Sequence, residues 1–92
     1  MGRETVLFKN EEKMSRSEVA ELLRTLANKL EKGKVLLQQG TEEVKLKIPE
    51  RVELEVKAEK KVGKRRTKKK LELEIEWQVG ASAQKQKKLT LG

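Results

Sequence analysis

The amino-acid sequence predicts an α+β fold, in which one amphipathic helix packs on one face of an antiparallel sheet of four to five strands, in the order β-α-β-β-β-β. Three observations lead to this prediction. One segment near the N-terminus has helical periodicity and a signal at each helix end. Apolar and charged residues alternate after Gly33. The length of 92 residues fits one small domain.

The helix is predicted over residues 16–32. Ser15 fits the N-cap position, and Glu18 completes a capping box, in which side chains and backbone amides exchange hydrogen bonds. Gly33 fits the left-handed position that ends a helix. Apolar side chains recur at helical spacing on one face, which is therefore expected to be buried. These positions are Val19, Leu22, Leu23, Leu26, Ala27 and Leu30.

Half-buried antiparallel strands are predicted after the helix, because one side of each strand is apolar and the other is charged. The apolar positions are Val35 and Leu37, then Val44, Leu46 and Ile48, then Val52, Leu54, Val56 and Ala58, and last Leu71, Leu73, Ile75, Trp77 and Val79. Pro49 ends one strand, because proline has no N–H to donate to a sheet. The segment TVLFK at residues 5–9 is expected to add a first strand.

The domain is predicted to span residues 1–79. Within it, residues 60–70 form a basic hairpin loop between the two longest strands. Residues 80–92 follow as a flexible basic tail, in which residues 88–91 also fit a short extra strand.

The composition excludes several classes of site. The chain has no Cys, His, Asp or Tyr, which excludes disulfides, thiolate chemistry and acid–base catalysis by imidazole. No triad of catalytic residues and no phosphate-binding glycine loop is present, so we expect no enzymatic activity, no cofactor, no metal site and no small-molecule substrate. No apolar run approaches the roughly 18 residues of a membrane span, so a cytoplasmic protein without a membrane partner is expected. The abundance of Glu and Lys resembles the composition of proteins from thermophiles.

The net charge is concentrated in one segment. The chain has 23 basic and 15 acidic residues, a net charge of +8, and residues 60–70 alone carry +8 with no acidic residue. The basic residues of this segment are Lys60, Lys61, Lys64, Arg65, Arg66, Lys68, Lys69 and Lys70. Such a run binds nucleic acid or another polyanion, or else remains a solvated loop that aids solubility. The two aromatic residues, Phe8 and Trp77, fall on apolar faces, so base stacking is not expected and binding would be nonspecific.

Two further features have more than one interpretation. Trp77 continues an apolar strand face as a core residue, and it also fits a cap over the end of the core or an exposed interface anchor. Five glutamates fit a solvated strand face, on which they would pair across strands with Lys45, Lys47 and Lys57. They fit a divalent-cation site or a paired-carboxylate active site less well. These glutamates are Glu53, Glu55, Glu72, Glu74 and Glu76.

The order of these signals resembles the amphi-Trp domain family of small prokaryotic proteins. The resemblance is carried by MSRSEVAELLRTLANKLEKGKVLLQQG at residues 14–40, EVKLKIPERVELEVKAE at residues 43–59 and LELEIEW at residues 71–77. The family is named after an amphipathic strand that ends in Trp, which is here Trp77. The resemblance covers about residues 5–78 and supports these domain limits. It implies no catalytic residue, because the family is functionally uncharacterised, and the basic segment 60–70 is longer than the family leads us to expect.

The sequence thus predicts a small non-enzymatic binding module. The first hypothesis is a nonspecific binder of nucleic acid or another polyanion through residues 60–70, with the lysines of the tail. The alternative is a structural protein–protein interaction domain, whose sheet contacts a protein partner or a second copy of the chain. Salt dependence separates the two, because phosphate binding weakens steeply with salt and an apolar contact does not.

Overall fold

The strands form two antiparallel hairpins that follow one helix. The structure, a computed structural model, describes residues 2–80. The elements are α1 Arg16–Lys32, β1 Lys34–Gln39, β2 Glu42–Lys47, β3 Glu53–Val62 and β4 Thr67–Glu76. β1 pairs with β2, and β3 pairs with β4, both antiparallel. The α+β class and the antiparallel pairing that the sequence predicts are therefore confirmed.

The chain divides into two compact units, Met1–Glu50 and Arg51–Gly92. Strand pairing occurs within each hairpin, so the single sheet of four to five strands is not confirmed. The predicted tail lies outside the described residues, apart from Gly80. No helix in the described part of the chain is long and apolar enough to cross a membrane.

The helix has the bounds and ends that the sequence predicts. The Ser15 side chain accepts a hydrogen bond from the Glu18 amide at 3.1 Å, and the Glu18 carboxylate accepts one from the Ser15 amide at 3.1 Å. This second bond holds the pKa of the Glu18 carboxyl below its ordinary value. Gly33 ends the helix at φ 77°, and a Cβ there would lie 3.2 Å from the carbonyl oxygen of Ile48. Glycine is therefore required for its left-handed conformation and for its small size.

The core of the first unit lies where α1 packs against β1. Val35 on β1 is 7% exposed and is the one buried apolar side chain in residues 2–80. The register places Val35 opposite Leu46, so these side chains share the apolar face of the hairpin. Half-buried apolar side chains surround this pair. They are Leu26, Leu30, Leu37, Val44 and Ile48.

The apolar face of α1 is less buried than its periodicity predicts. Leu26 and Leu30 are half-buried, whereas Val19, Leu22 and Leu23 are exposed. The two strands of a hairpin lie about 4.8 Å apart, and a helix with its side chains is about 10–12 Å across. One hairpin therefore covers part of the helical face and leaves the first half of the stripe open.

The segment at residues 5–9 is not a strand. It has no strand pairing, and Val6 and Leu7 are exposed while Phe8 is half-buried. Its residues favour extended structure, but a strand also requires a neighbour that accepts and donates its backbone hydrogen bonds. No such neighbour is present for these residues in the described part of the chain.

The β3–β4 hairpin is a long ribbon with one apolar and one charged face. The register pairs Leu54 with Ile75 and Val56 with Leu73, which places these side chains on the apolar face. That face is largely open to solvent: Leu54 is 60% exposed and Leu71 is 69% exposed. The charged face carries the lysines and glutamates that alternate with these positions.

Candidate polyanion-binding site

The basic segment lies at the end of the β3–β4 hairpin, and we call residues 60–70 the ribbon tip. The sequence predicts a loop over this whole segment, but strand β3 continues to Val62 and β4 begins at Thr67. The Gly63 amide donates a hydrogen bond to the Arg66 carbonyl at 2.8 Å, which closes a tight turn. Strand pairing up to this turn converts most of the expected loop into regular ribbon.

The basic side chains of the ribbon tip form three groups. Lys60 lies opposite Lys69 on the apolar face of the ribbon, and Lys61 lies opposite Lys68 on the charged face. Lys64, Arg65 and Arg66 occupy the turn, and Lys70 follows on the charged face. All eight are exposed.

The charged face of the ribbon tip is partly neutralised by neighbouring carboxylates. The Lys70 Nζ lies 3.8 Å from a Glu59 carboxylate oxygen and 3.7 Å from a Glu72 carboxylate oxygen. Within residues 2–80, no other basic residue of the ribbon tip forms an ion pair. On the apolar face the next residues are uncharged, namely Ala58 and Leu71. The positive charge of Lys60 and Lys69 is therefore not offset by an acidic residue next to them on their own face.

Like charges face each other across the ribbon tip. The Lys60–Lys69 and Lys61–Lys68 pairs are directly opposite, and such pairs repel at the short distance between paired strands. An anion that binds between two such lysines relieves this repulsion. The same repulsion keeps the side chains extended and hydrated when no anion is bound.

The predicted glutamate face is present, but two of its predicted partners are elsewhere. Lys57 lies opposite Glu72 as expected. Lys45 and Lys47 belong to the β1–β2 hairpin, where they lie opposite Leu36 and Lys34. The strand register causes this difference, because it pairs β2 with β1 and leaves β3 and β4 to pair with each other.

Four glutamates form like-charge pairs at the end of the ribbon far from the turn. Glu53 lies opposite Glu76, and Glu55 lies opposite Glu74. A hydrogen bond between the Glu55 and Glu74 carboxyls, together with the negative charge of Glu74, raises the pKa of Glu55 above its ordinary value. No group of three or more acidic side chains in residues 2–80 has the arrangement of a metal site.

Trp77 lies directly after β4 and is half-buried. It lines an open groove with Glu53 and Ile75, at the end of the ribbon far from the turn. The predicted strand continues to Val79, but β4 ends at Glu76 and Val79 is exposed. Trp77 is therefore well separated along the chain from the ribbon tip and is not placed to stack on a ligand there.

The sequence profile of the Amphi-Trp domain matches residues 1–92. The chain belongs to the Amphi-Trp domain family. Comparison with curated proteins and with solved structures finds no match. Membership in the Amphi-Trp family names no activity, so a function has to be argued from the residues of the ribbon.

The pairing of charges across the ribbon is not found from sequence alone. Lys68 and Lys70 share a face of β4 with Glu72, Glu74 and Glu76, so this face is basic in its first half and acidic in its second. Alternation predicts that these residues share a face, but it does not predict which residue of β3 each one opposes. The tight turn after Val62 provides that information, because it sets the register of the whole ribbon.

Proposed function

We propose that the ribbon tip binds nucleic acid through its phosphate groups, without sequence preference. The observation that carries this proposal is the set of eight exposed basic residues, with no acidic residue among them, at the end of an extended two-stranded ribbon. Binding of phosphates by lysine and arginine releases counterions, and this release supplies the affinity. A two-stranded ribbon also has a width that the major groove of a duplex admits.

The face with Lys60 and Lys69 is the better binding surface. Its neighbouring residues are neutral, whereas the opposite face presents Glu59 and Glu72 beside Lys70. A phosphate that approaches the charged face meets both signs of charge. A phosphate that approaches the Lys60–Lys69 face and the turn meets basic residues alone.

Weak base selectivity follows from the residue types of the ribbon tip. Residues 60–70 contain no aromatic residue for stacking and no Asn or Gln for paired hydrogen bonds to adenine. Trp77 and Phe8, the two aromatic residues, lie outside this segment. We infer that the protein acts in the cytoplasm, where nucleic acid is abundant. It would contact the phosphate backbone of the nucleic acid and would not recognise a base sequence.

Fluorescence anisotropy with a labelled DNA duplex, a single-stranded RNA and heparin tests the proposal. The tip variant replaces six residues by Ser: Lys64, Arg65, Arg66, Lys68, Lys69 and Lys70. The control variant removes the same charge elsewhere, also by Ser: Arg16, Arg24, Lys29, Lys32, Lys34 and Lys45. We expect the tip variant to lose binding and the control variant to retain most of it. Equal affinities of the two variants would contradict the proposal, and preference for heparin over both nucleic acids would assign a different polyanion.

A second candidate function is a protein–protein interaction domain. The observation that favours it is the exposure of Leu54, Val56, Leu71 and Leu73 on the apolar face of the ribbon. The sequence predicts a single antiparallel sheet, and this candidate function would use that sheet as its contact surface. In such a sheet β2 would pair with β3, and β4 would remain an edge strand. Partners captured from a native lysate through this face should persist after nuclease treatment and at high salt, whereas partners bound through nucleic acid should be lost.

A further inference from the structure

The ribbon has two like-charge ends of opposite sign. At the end far from the turn, Glu53 faces Glu76 and Glu55 faces Glu74. At the ribbon tip, lysines face lysines. Directly opposed like charges destabilise a strand pair, so both ends of the ribbon carry an electrostatic cost that the ribbon alone does not relieve.

The acidic end has no cationic partner in the described part of the chain. None of its four glutamates forms an ion pair with a lysine or arginine in residues 2–80. Glu55 instead lies directly opposite Glu74, whose hydrogen bond and negative charge raise the pKa of Glu55 above its ordinary value. A cationic partner at this end would offset the repulsion between the opposed glutamates.

The outer edge of β4 is open for strand pairing. The hydrogen bond between the Gly63 amide and the Arg66 carbonyl sets the phase of the ladder. In an antiparallel pair, residues alternate between those that bond to the partner strand and those whose N–H and C=O point away from it. Arg66 bonds to the partner strand, and so does every second residue after it along β4. The residues between them, which include Lys69, Leu71 and Leu73, therefore have backbone groups that point away from β3. No strand pairs with this edge in residues 2–80.

We propose that β4 pairs antiparallel with β4 of a second copy of this chain, about a two-fold axis at Leu71. In this register Lys68 of one copy lies opposite Glu74 of the other, and Lys70 lies opposite Glu72. Each pair occurs twice because of the symmetry. The outward backbone groups of one β4 meet those of the other, since Leu71 opposes its own copy and Lys69 opposes Leu73.

The charge pattern of β4 selects this arrangement. Lysines precede glutamates along β4, so an antiparallel copy places opposite charges together, whereas a parallel copy would place lysine beside lysine. Strand β3 is less suitable, because Lys57 lies between Glu55 and Glu59 and a small slip in register produces like-charge pairs. A slip of two residues on β4 produces one like-charge pair at the axis, Lys70 with Lys70 or Glu72 with Glu72, and keeps opposite charges together elsewhere.

The paired ribbons would form a four-stranded sheet in which the apolar residues of the two copies meet around Leu71, with Lys69 of each copy beside Leu73 of the other. A two-stranded hairpin is only marginally stable in water, and three or more strands with an apolar face are more stable. Leu71, which is exposed on the single ribbon, would contact Leu71 of the second copy directly and the exposed Leu73 of that copy diagonally. Lys68 and Lys70 also belong to the ribbon tip, but Lys60 and Lys69 lie on the other face of the sheet from the Lys–Glu pairs, so a polyanion can bind that face while the pairs form.

Charge-swap variants of the full chain test the interface by sedimentation equilibrium. One variant carries Lys68→Glu and Lys70→Glu, and the other carries Glu72→Lys and Glu74→Lys. Across β3, each variant loses one opposite-charge pair and gains one, so the charge balance within the ribbon is matched. We expect the wild type to be a dimer from the micromolar to the millimolar range, each variant alone to be a monomer, and the equimolar mixture to dimerise again.

A cysteine variant supplies a test that does not depend on charge. The chain contains no cysteine, so Leu71→Cys introduces a single thiol. Opposed residues at the two-fold axis have Cα atoms about 5.5 Å apart, within the range that a disulfide spans. Oxidation should link Leu71→Cys into a covalent dimer, and the matched control Val56→Cys on β3 should stay unlinked.

Three outcomes would overturn the proposal. The first is a wild-type monomer throughout the concentration range. The second is a contact elsewhere on the chain. It would be shown if both charge-swap variants dimerise on their own, or if the two cysteine variants crosslink equally. The third is slow hydrogen exchange of the Leu71 amide in a monomer, which shows that another segment of the same chain covers the β4 edge.

Discussion

Removal of Lys60 and Lys69 should weaken nucleic-acid binding far more than removal of Lys61 and Lys68. The double variant Lys60→Ser/Lys69→Ser deletes the lysine pair on the face without acidic neighbours. The double variant Lys61→Ser/Lys68→Ser deletes the pair on the opposite face and removes the same net charge. The two variants differ in which side of the ribbon loses its lysines.

The expected magnitude follows from the number of phosphates that one face can reach. The Lys60–Lys69 pair and the three basic residues of the turn make about five phosphate contacts, which corresponds to a log–log salt slope of about −4.5 on duplex DNA. Loss of two contacts reduces the slope to about −2.7. At about 0.1 M salt this change corresponds to a loss of affinity of about 60-fold. The variant of the charged face should change the slope by less than about 1.

Anisotropy titrations of a labelled duplex at four or more salt concentrations measure these slopes directly. Far-ultraviolet circular dichroism of both variants checks that the strands are retained. Equal loss of slope in the two variants would show that the ribbon inserts between two phosphate backbones and binds with both faces. No loss in either variant would refute the assignment of the site to the ribbon tip.

Three further predictions concern stability. Val35→Ala should lower the free energy of unfolding by about 2 kcal/mol in urea titrations, whereas Leu36→Ala, on the exposed face of the same strand, should cost less than about 1 kcal/mol. Gly33→Ala should lower the free energy of unfolding by about 1–2 kcal/mol in the same titrations. The alanine would have to adopt a left-handed backbone conformation, and its Cβ would lie 3.2 Å from a carbonyl oxygen. A variant with the wild-type midpoint would show that the helix end can shift freely. The raised pKa of Glu55 means that the folded chain holds this proton more tightly than the unfolded chain, so the thermal midpoint should fall as pH rises from 4.5 through the raised pKa. Glu55→Gln should reduce that fall, and an unchanged pH profile would show that the hydrogen bond to Glu74 does not form in solution.

The proposed dimer predicts the opposite pH trend for self-association. The raised pKa of Glu55 means that protonation of Glu55 stabilises the ribbon by itself, because it removes the repulsion from Glu74. The interface between two copies instead needs ionised glutamates opposite Lys68 and Lys70. Sedimentation at several pH values should therefore show stronger association as the pH rises through the range in which carboxyls titrate. Association that weakens over that range would contradict the proposed Lys–Glu pairs.

Local sequence signals predicted the helix to the residue. The capping box at Ser15 and Glu18 and the left-handed Gly33 act through backbone groups within a few residues, so no distant contact is needed to place the helix ends. The same signals did not predict how much of the helix is buried. That depends on the width of the surface against which the helix packs, and one hairpin leaves Val19 and Leu22 exposed.

The concentration of basic charge in residues 60–70, and therefore the candidate site, was also determined by the sequence. What the sequence alone could not decide was the shape of this segment, because a run of like charges predicts a solvated loop. Strand pairing up to the turn extends the ladder through the lysines, so the tertiary structure presents them on two defined faces rather than on a loop.

Only the tertiary structure decided which strands pair and in which register. Alternation of apolar and charged residues determined which residues share a face of each strand, since side chains point to opposite sides with a period of two. It carried no information about which strand lies beside which, because every strand of this chain has a similar pattern. The tight turn after Val62 and the strand pairing that follows from it decided that Lys57 opposes Glu72 and that Glu55 opposes Glu74. The opposite charges at the two ends of the ribbon follow from that register.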